Sequence, residues 1–227
     1  MKNDNMLVLS QVSPQQLLVD EFSIVQRAIM GNAVTRGYQN VTEFQKRCPD
    51  FLRTKHAEKL IPELKNMSVE YAIINACEKG LIPLKWSFED THNKKDKYLK
   101  LISLDGRCLF TVNQTRSAGT KSRLAKYRQD LDDSFQTKLN LFPADDIILA
   151  KQPYYFELNH GYQSKEPKFA VIGKPKETRG WLAQQSLLNQ VQLVPKQDRA
   201  DLKTATKDIQ NFNWGDFEQY IDAHEKD

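Results

Sequence analysis

The hydrophobic period of the chain changes at Gly80. Before that point, apolar residues recur at helical steps, with Leu18, Phe22, Val25 and Ile29 falling on one face of a helix. Ser13-Pro14 marks its start, since a serine hydroxyl can cap and proline fits the first turn. Gly31 or Gly37 is the expected end. Thr42-Glu43-Phe44-Gln45 reads as the capping box of a second helix. Pro49 interrupts it, and Pro62 limits the stretch through Leu60 and Leu64 because proline removes an amide donor. Ser68 then opens a helix from Val69 to Lys79, with Gly80 just past its end. After Gly80 the period becomes two. Ile82, Leu84, Trp86 and Phe88 alternate with Pro83, Lys85 and Ser87, a half-buried strand that Pro83 assigns to a sheet edge or a strand beginning.

Two β-rich runs, Tyr98 to Leu104 and Arg107 to Asn113, flank Asp105-Gly106. That dipeptide between such runs predicts a hairpin with a type I′ turn. Leu124, Tyr127, Leu131, Phe135 and Leu139 restore a helical stripe that ends by Pro143. Residues 147–150, 154–158 and 168–173 read as strands, with Asn159-His160-Gly161 beginning a connection and 173–180 forming a loop. An amphipathic stretch follows from Trp181 to Val194. Trp214, Phe217, Tyr220 and Ile221 suit a short final helix. The expected class is α+β: a helical N-terminal region over 1–80, then a mostly antiparallel sheet with a packed helix over 81–195. In that domain the hairpin spans 98–113 and the helix about 121–140. A polar linker and short C-terminal helix occupy 196–227.

Composition removes several classes. With 227 residues, 40% hydrophobic and 27% charged, the chain can bury a core and is unlike a disordered polymer. It has no apolar run long enough to span a bilayer, and the opening MKNDNMLVLSQ offers only the short apolar run Met6 to Leu9, so no secretory leader is expected. Three scattered cysteines, Cys48, Cys77 and Cys108, suit small buried side chains better than a disulfide framework, so a cytoplasmic location is expected and no membrane partner.

The net charge of +4 conceals an asymmetry. Between Thr91 and Gln129 there are ten Lys or Arg and two acids, and from Gly106 to Gln129 no acid occurs. A smaller excess lies in 164–180. Clustered cations with neutral hydroxyl and amide donors form the footprint of a phosphate-backbone binder. The candidate nucleic-acid contacts are Arg107, Arg116, Lys121, Arg123, Lys126, Arg128, Lys174, Lys176 and Arg179. The same charge run also suits a solvated face or one neutralised by neighbouring acids.

The chain contains no phosphate-binding Walker loop, dinucleotide glycine motif, serine-hydrolase elbow or close Cys/His pair. Pro143-Ala144-Asp145-Asp146 before one strand and Glu157-Leu158-Asn159 on the next resemble the PD-(D/E)xK nuclease pattern, with Asn where Lys is usual and Lys168 on the following strand. The resemblance covers about 25 residues and implies Mg²⁺ held by Asp146 and Glu157; without it no cofactor is expected. The helices of 42–80 could form a helix-turn-helix, and Trp86, Tyr154, Tyr155 and Phe156 could stack on bases, although packing is the commoner role of both. Three functions therefore stand: a nucleic-acid-associated protein, a non-catalytic module docking on an acidic protein partner, and a metal-dependent nuclease.

Overall fold

A computed structural model describes residues 13–47, 54–133, 153–161, 164–176, 178–189 and the single positions 200, 203, 204 and 207. Helix α1 spans Pro14–Glu21, α2 Ile24–Arg47, α3 Lys55–Glu58 and α4 Ile61–Glu78. Strands β1 (Leu84–Asp90), β2 (Lys97–Ser103) and β3 (Cys108–Gln114) follow. Helix α5 (Lys126–Asp133) precedes β4 (Tyr154–His160), β5 (Ala170–Pro175) and β6 (Trp181–Ser186). The six strands lie in sequence order and pair antiparallel throughout, except for the central β3–β4 pair, which is parallel. The architecture is α+β, with β1 and β6 at the edges.

The helix starts obey simple capping chemistry. The Gln16 amide donates to Ser13 Oγ at 3.1 Å. Ser23 and Gln26 form a reciprocal capping box, amide to side chain in both directions, at 2.8 and 3.2 Å. The box expected at Thr42 does not exist. Thr42 lies inside α2, where its hydroxyl donates to the Tyr38 carbonyl. Helix α2 also runs through both glycines expected to end it. Each is there for close approach: a Cβ on Gly31 would stand 2.1 Å from the Leu187 carbonyl oxygen, and one on Gly37 would stand 2.7 Å from the Val69 backbone. Pro62 opens α4 rather than limiting a helix, and Ser68 sits within α4, where Asn40 of α2 donates to it. Gly80 does follow the helix end, at φ +67°.

The 98–113 hairpin forms, with a different turn. Gly106 N–H donates to the Ser103 carbonyl and Gly106 adopts φ +72°, whereas Asp105 stays at negative φ. Its carboxyl instead accepts from the Ser103 hydroxyl and the Arg107 amide, which stabilises a turn centred one residue earlier than a type I′ turn requires. Strand β6 takes the start of the segment read as amphipathic, and Gly173 to Pro175 belong to β5 rather than to a loop. The expected helix from about 121 begins at Lys126. Leu124, counted on its apolar stripe, is 74% exposed. Residues 134–152, including the expected strand at 147–150, and the C-terminal helix lie outside the described residues.

The sheet has two unlike faces. On one, Leu99, Leu101, Phe110, Val112, Phe156, Leu158 and Ile172 join Met30, Val34, Tyr38, Val69 and Ile73 of α2 and α4 in a single buried cluster. Phe110 stacks on Phe156 at 5.4 Å and meets Phe22 edge-on at 5.2 Å. Because strand side chains alternate, the neighbouring residues Thr111, Asn113, Tyr155, Glu157 and Asn159 point the other way. They carry the site.

Candidate functional site: a polar sheet face under a basic loop

Residues 115–125 leave the end of β3, cross this polar face and enter α5. Glu157, only 2% exposed, fastens them down. Its carboxyl oxygens accept from Ser122 N at 2.8 Å, Ser122 Oγ at 2.6 Å, Asn159 Nδ2 at 2.9 Å and Tyr155 Oη at 3.4 Å. The network continues sideways. Asn113 Nδ2 donates to Asn159 Oδ1 at 3.1 Å, Arg128 Nε donates to Asn113 Oδ1 at 2.9 Å, and Tyr155 and Thr111 hydroxyls meet at 2.8 Å. A buried carboxyl is tolerated only when such donors replace water. Burial, with the charge of Glu157 next in importance, holds the Tyr155 hydroxyl well above its ordinary titration range. Register explains the cluster: Thr111 pairs Glu157 and Asn113 pairs Asn159 across the parallel ladder.

The second basic segment packs against this loop. Lys121 Nζ donates to the Lys176 carbonyl at 2.5 Å, and Trp181 Nε1 donates to the Ala118 carbonyl at 2.8 Å. Gly180, at φ +77°, sits beside Gly119. Two stretches about 55 residues apart in sequence are thereby joined, with Lys121 and Lys176 in direct contact.

The nine sequence-selected cations divide by environment. Arg107 precedes β3 while Arg116 follows it, so a seven-residue strand, about 23 Å long, separates them. Arg107 pairs with Asp105 and, at 3.2 Å, with Glu21. Arg116, Arg123, Lys126, Lys176 and Arg179 are exposed, and Arg128 is half-buried. These six make no ion pair among the described residues. Lys174 is half-buried over the Tyr154 ring at 5.9 Å; burial lowers its pKa, and the nearby Asp132 partly restores it. Lys126 Nζ meets His92 Nε2 at 2.9 Å, which adds the β1–β2 loop, with exposed Lys94 and Lys95, to the basic side. The sequence showed those lysines as part of a charge run without assigning them to the site. No periodicity signals that contact.

Of the two carboxylates selected for metal, Asp146 lies outside the described residues. Glu157 neither faces water nor presents a bare oxygen, since both its oxygens accept hydrogen bonds. Among the described residues, no three His, Cys, Asp or Glu side chains are placed to hold a metal ion. Tyr155 and Phe156 are buried and Trp86 is half-buried against Phe88, so these aromatics pack within the fold. The cysteines Cys77 and Cys108 have thiols pushed up to about 12 by burial, which leaves them protonated at neutral pH.

His160, expected in a turn, is instead the last residue of β4 and fully buried. Its Nδ1 lies 2.9 Å from the Tyr38 hydroxyl, and burial pulls its pKa down to about 4. Both residues were legible as types. Their meeting depends on the pairing of α2 with the sheet.

No helix among the described residues is long and apolar enough to cross a membrane. Comparison with known protein families, with curated proteins and with solved structures finds no match.

Proposed function

We propose that the protein binds nucleic acid through its phosphate backbone, using the 116–128 loop and helix start together with 174–179. One observation carries this reading. The Lys121–Lys176 and Trp181–Ala118 hydrogen bonds unite two basic segments, while six of their cations have no acidic partner among the described residues. Clustered, unneutralised Lys and Arg bind polyanions because each phosphate neutralised releases condensed counterions. Ser117 and Thr120 lie on the same loop, where their hydroxyls donate to Thr120 Oγ1 and to the Ser117 carbonyl; turned outward, they are neutral donors of the kind that accompany phosphate contacts. The loop is pre-organised by Glu157, which reduces the ordering cost of binding.

The test uses fluorescence anisotropy with single- and double-stranded oligonucleotides at low salt. The unaltered chain binds, and Arg123→Glu with Arg179→Glu, one exposed cation from each segment, removes binding by at least about a hundredfold without changing the circular dichroism spectrum. A chain that ignores both oligonucleotides and heparin overturns the reading. Retention of an acidic protein after nuclease treatment, with no oligonucleotide binding, favours a docking module instead.

A further inference from the structure

We infer that the cleft at the C-terminal ends of β3 and β4 holds a terminal phosphate monoester of a nucleotide, and this inference rests on the nucleic-acid reading above. The parallel pairing of β3 and β4 brings the loops after Gln114 and after His160 side by side. Crevices outside the carboxyl ends of parallel strands are the usual ligand positions in open sheets. Here the crevice encloses about 630 Å³ and is lined by Arg116, Ser117, Gly161, Ser164, Lys168 and Phe169, with Ala118 completing the wall. That volume lies within the range of about 300–1,000 Å³ typical of small-molecule sites. The cavity against Glu157 and Tyr155, by contrast, is about 30 Å³ and admits little more than one water.

The chemistry of the lining selects the ligand. Arg116, after β3, and Lys168, before β5, are both exposed, and among the described residues no acidic side chain lines the cleft. An internal phosphodiester carries one negative charge, whereas a phosphate monoester carries about 1.5 to 2 at neutral pH. Two cations lining one cleft therefore favour a strand end over its interior. Gly161 presents no side chain, and the Phe169 ring packs 3.2 Å from where its Cβ would be, giving an aromatic wall for a sugar or base. Described residues on both sides are tied down. Thr115 N–H donates to the His160 carbonyl at 2.9 Å, extending the ladder by one residue. Thr115 Oγ1 donates to the Ser117 carbonyl at 3.2 Å. On the other side, Lys65 Nζ reaches from α4 to the Ser164 carbonyl at 2.8 Å.

The experiment compares the full chain's affinity for three oligonucleotides of one sequence: 5′-phosphorylated, 3′-phosphorylated and hydroxyl-ended. One phosphorylated end binds about tenfold tighter than the hydroxyl-ended strand. Lys168→Ala abolishes that preference and leaves the hydroxyl-ended affinity within about twofold, because Lys168 lies outside the 116–128 and 174–179 stretches that hold the backbone in the reading above. A deoxynucleoside monophosphate added at about 1 mM erases the preference if the cleft takes free nucleotides, and leaves it intact if only a strand end is held. Either result supports the inference. Equal affinity for all three strands overturns it while the backbone-binding reading stands. Monophosphate binding lost in Lys168→Ala, with no oligonucleotide bound, retains the cleft and overturns the backbone reading.

Discussion

Glu157→Ala removes the acceptor that ties the 115–125 loop to the sheet. Four donors lose this acceptor: the Ser122 amide and hydroxyl outright, and the Asn159 amide group and Tyr155 hydroxyl, which keep the Thr120 carbonyl and the Thr111 hydroxyl as second partners. The Ser122 hydroxyl can rotate, but the Ser122 N–H cannot, and Asn159 is fully buried. A buried donor without an acceptor costs about 1–3 kcal/mol, and water entering the vacated space restores part of it. The expected loss is about 3 kcal/mol, a fall in the urea midpoint of about 1 M for a chain of this size. Glu157→Gln is the control. An amide oxygen placed toward the Ser122 amide and Asn159 keeps those bonds, while its NH₂ faces two hydroxyls that can turn to accept. It costs about 1 kcal/mol. Urea unfolding of both variants gives these values, and limited proteolysis reports the loop, which Glu157→Ala exposes near Ser122 and Glu157→Gln does not. Equal stability of the two variants and the unaltered chain, within about 0.5 kcal/mol, refutes the view that Glu157 anchors the loop.

Three further outcomes follow from the packing and the titrations. His160 folds neutral with its pKa drawn down to about 4 by burial, against an ordinary value of 6.5. The unfolded chain therefore binds a proton that the native chain refuses, so this residue costs about 3 kcal/mol of stability as pH falls from 6.5 to 4. Unfolding midpoints at pH 7.5 and 4.5 show a smaller drop for His160→Gln than for the unaltered chain. The comparison subtracts Glu70, whose carboxyl is pushed up to about 7 by burial and whose contribution runs in the opposite direction. Gly37→Ala places a Cβ 2.6 Å from Val69 Cγ2 and 2.7 Å from its backbone, so α2 and α4 separate at a cost of at least about 2 kcal/mol, read as a lowered Tm. Trp181→Phe keeps an aromatic ring, smaller than the indole, but loses the bond to the Ala118 carbonyl. About 1 kcal/mol of stability and a few-fold of oligonucleotide affinity go with it, measured by urea unfolding and anisotropy.

Local chemistry was readable in the chain, and long-range pairing was not. Ser13-Pro14, the helix ending before Gly80, the alternation after it and the Asp105-Gly106 hairpin all reflect forces within a few residues, and each element is present. Gly31 and Gly37 misled because a glycine that ends a helix and one that admits a neighbour look alike in sequence; only the approach of Leu187 and Val69 separates them. His160 resembled a turn residue because Asn and Gly flank it, yet β4 continues to it and α2 supplies Tyr38. Glu157 was singled out on a metal pattern. Its hydrogen-bonded surroundings depend on Ser122, 35 residues earlier, with no local trace. The two charge excesses were visible as composition, whereas their contact needed the coordinates.

The most direct test of a united phosphate-binding surface is the salt dependence of oligonucleotide affinity for the unaltered chain, Arg123→Ala and Arg179→Ala. Single strands lose affinity with a log–log slope of about −0.7 per phosphate neutralised, so the six cations without described acidic partners set an expected slope of about −4. Each substitution, although the two lie in different segments, makes the slope shallower by about 0.7. A slope near zero, or one that responds to Arg123 but not to Arg179, contradicts the account.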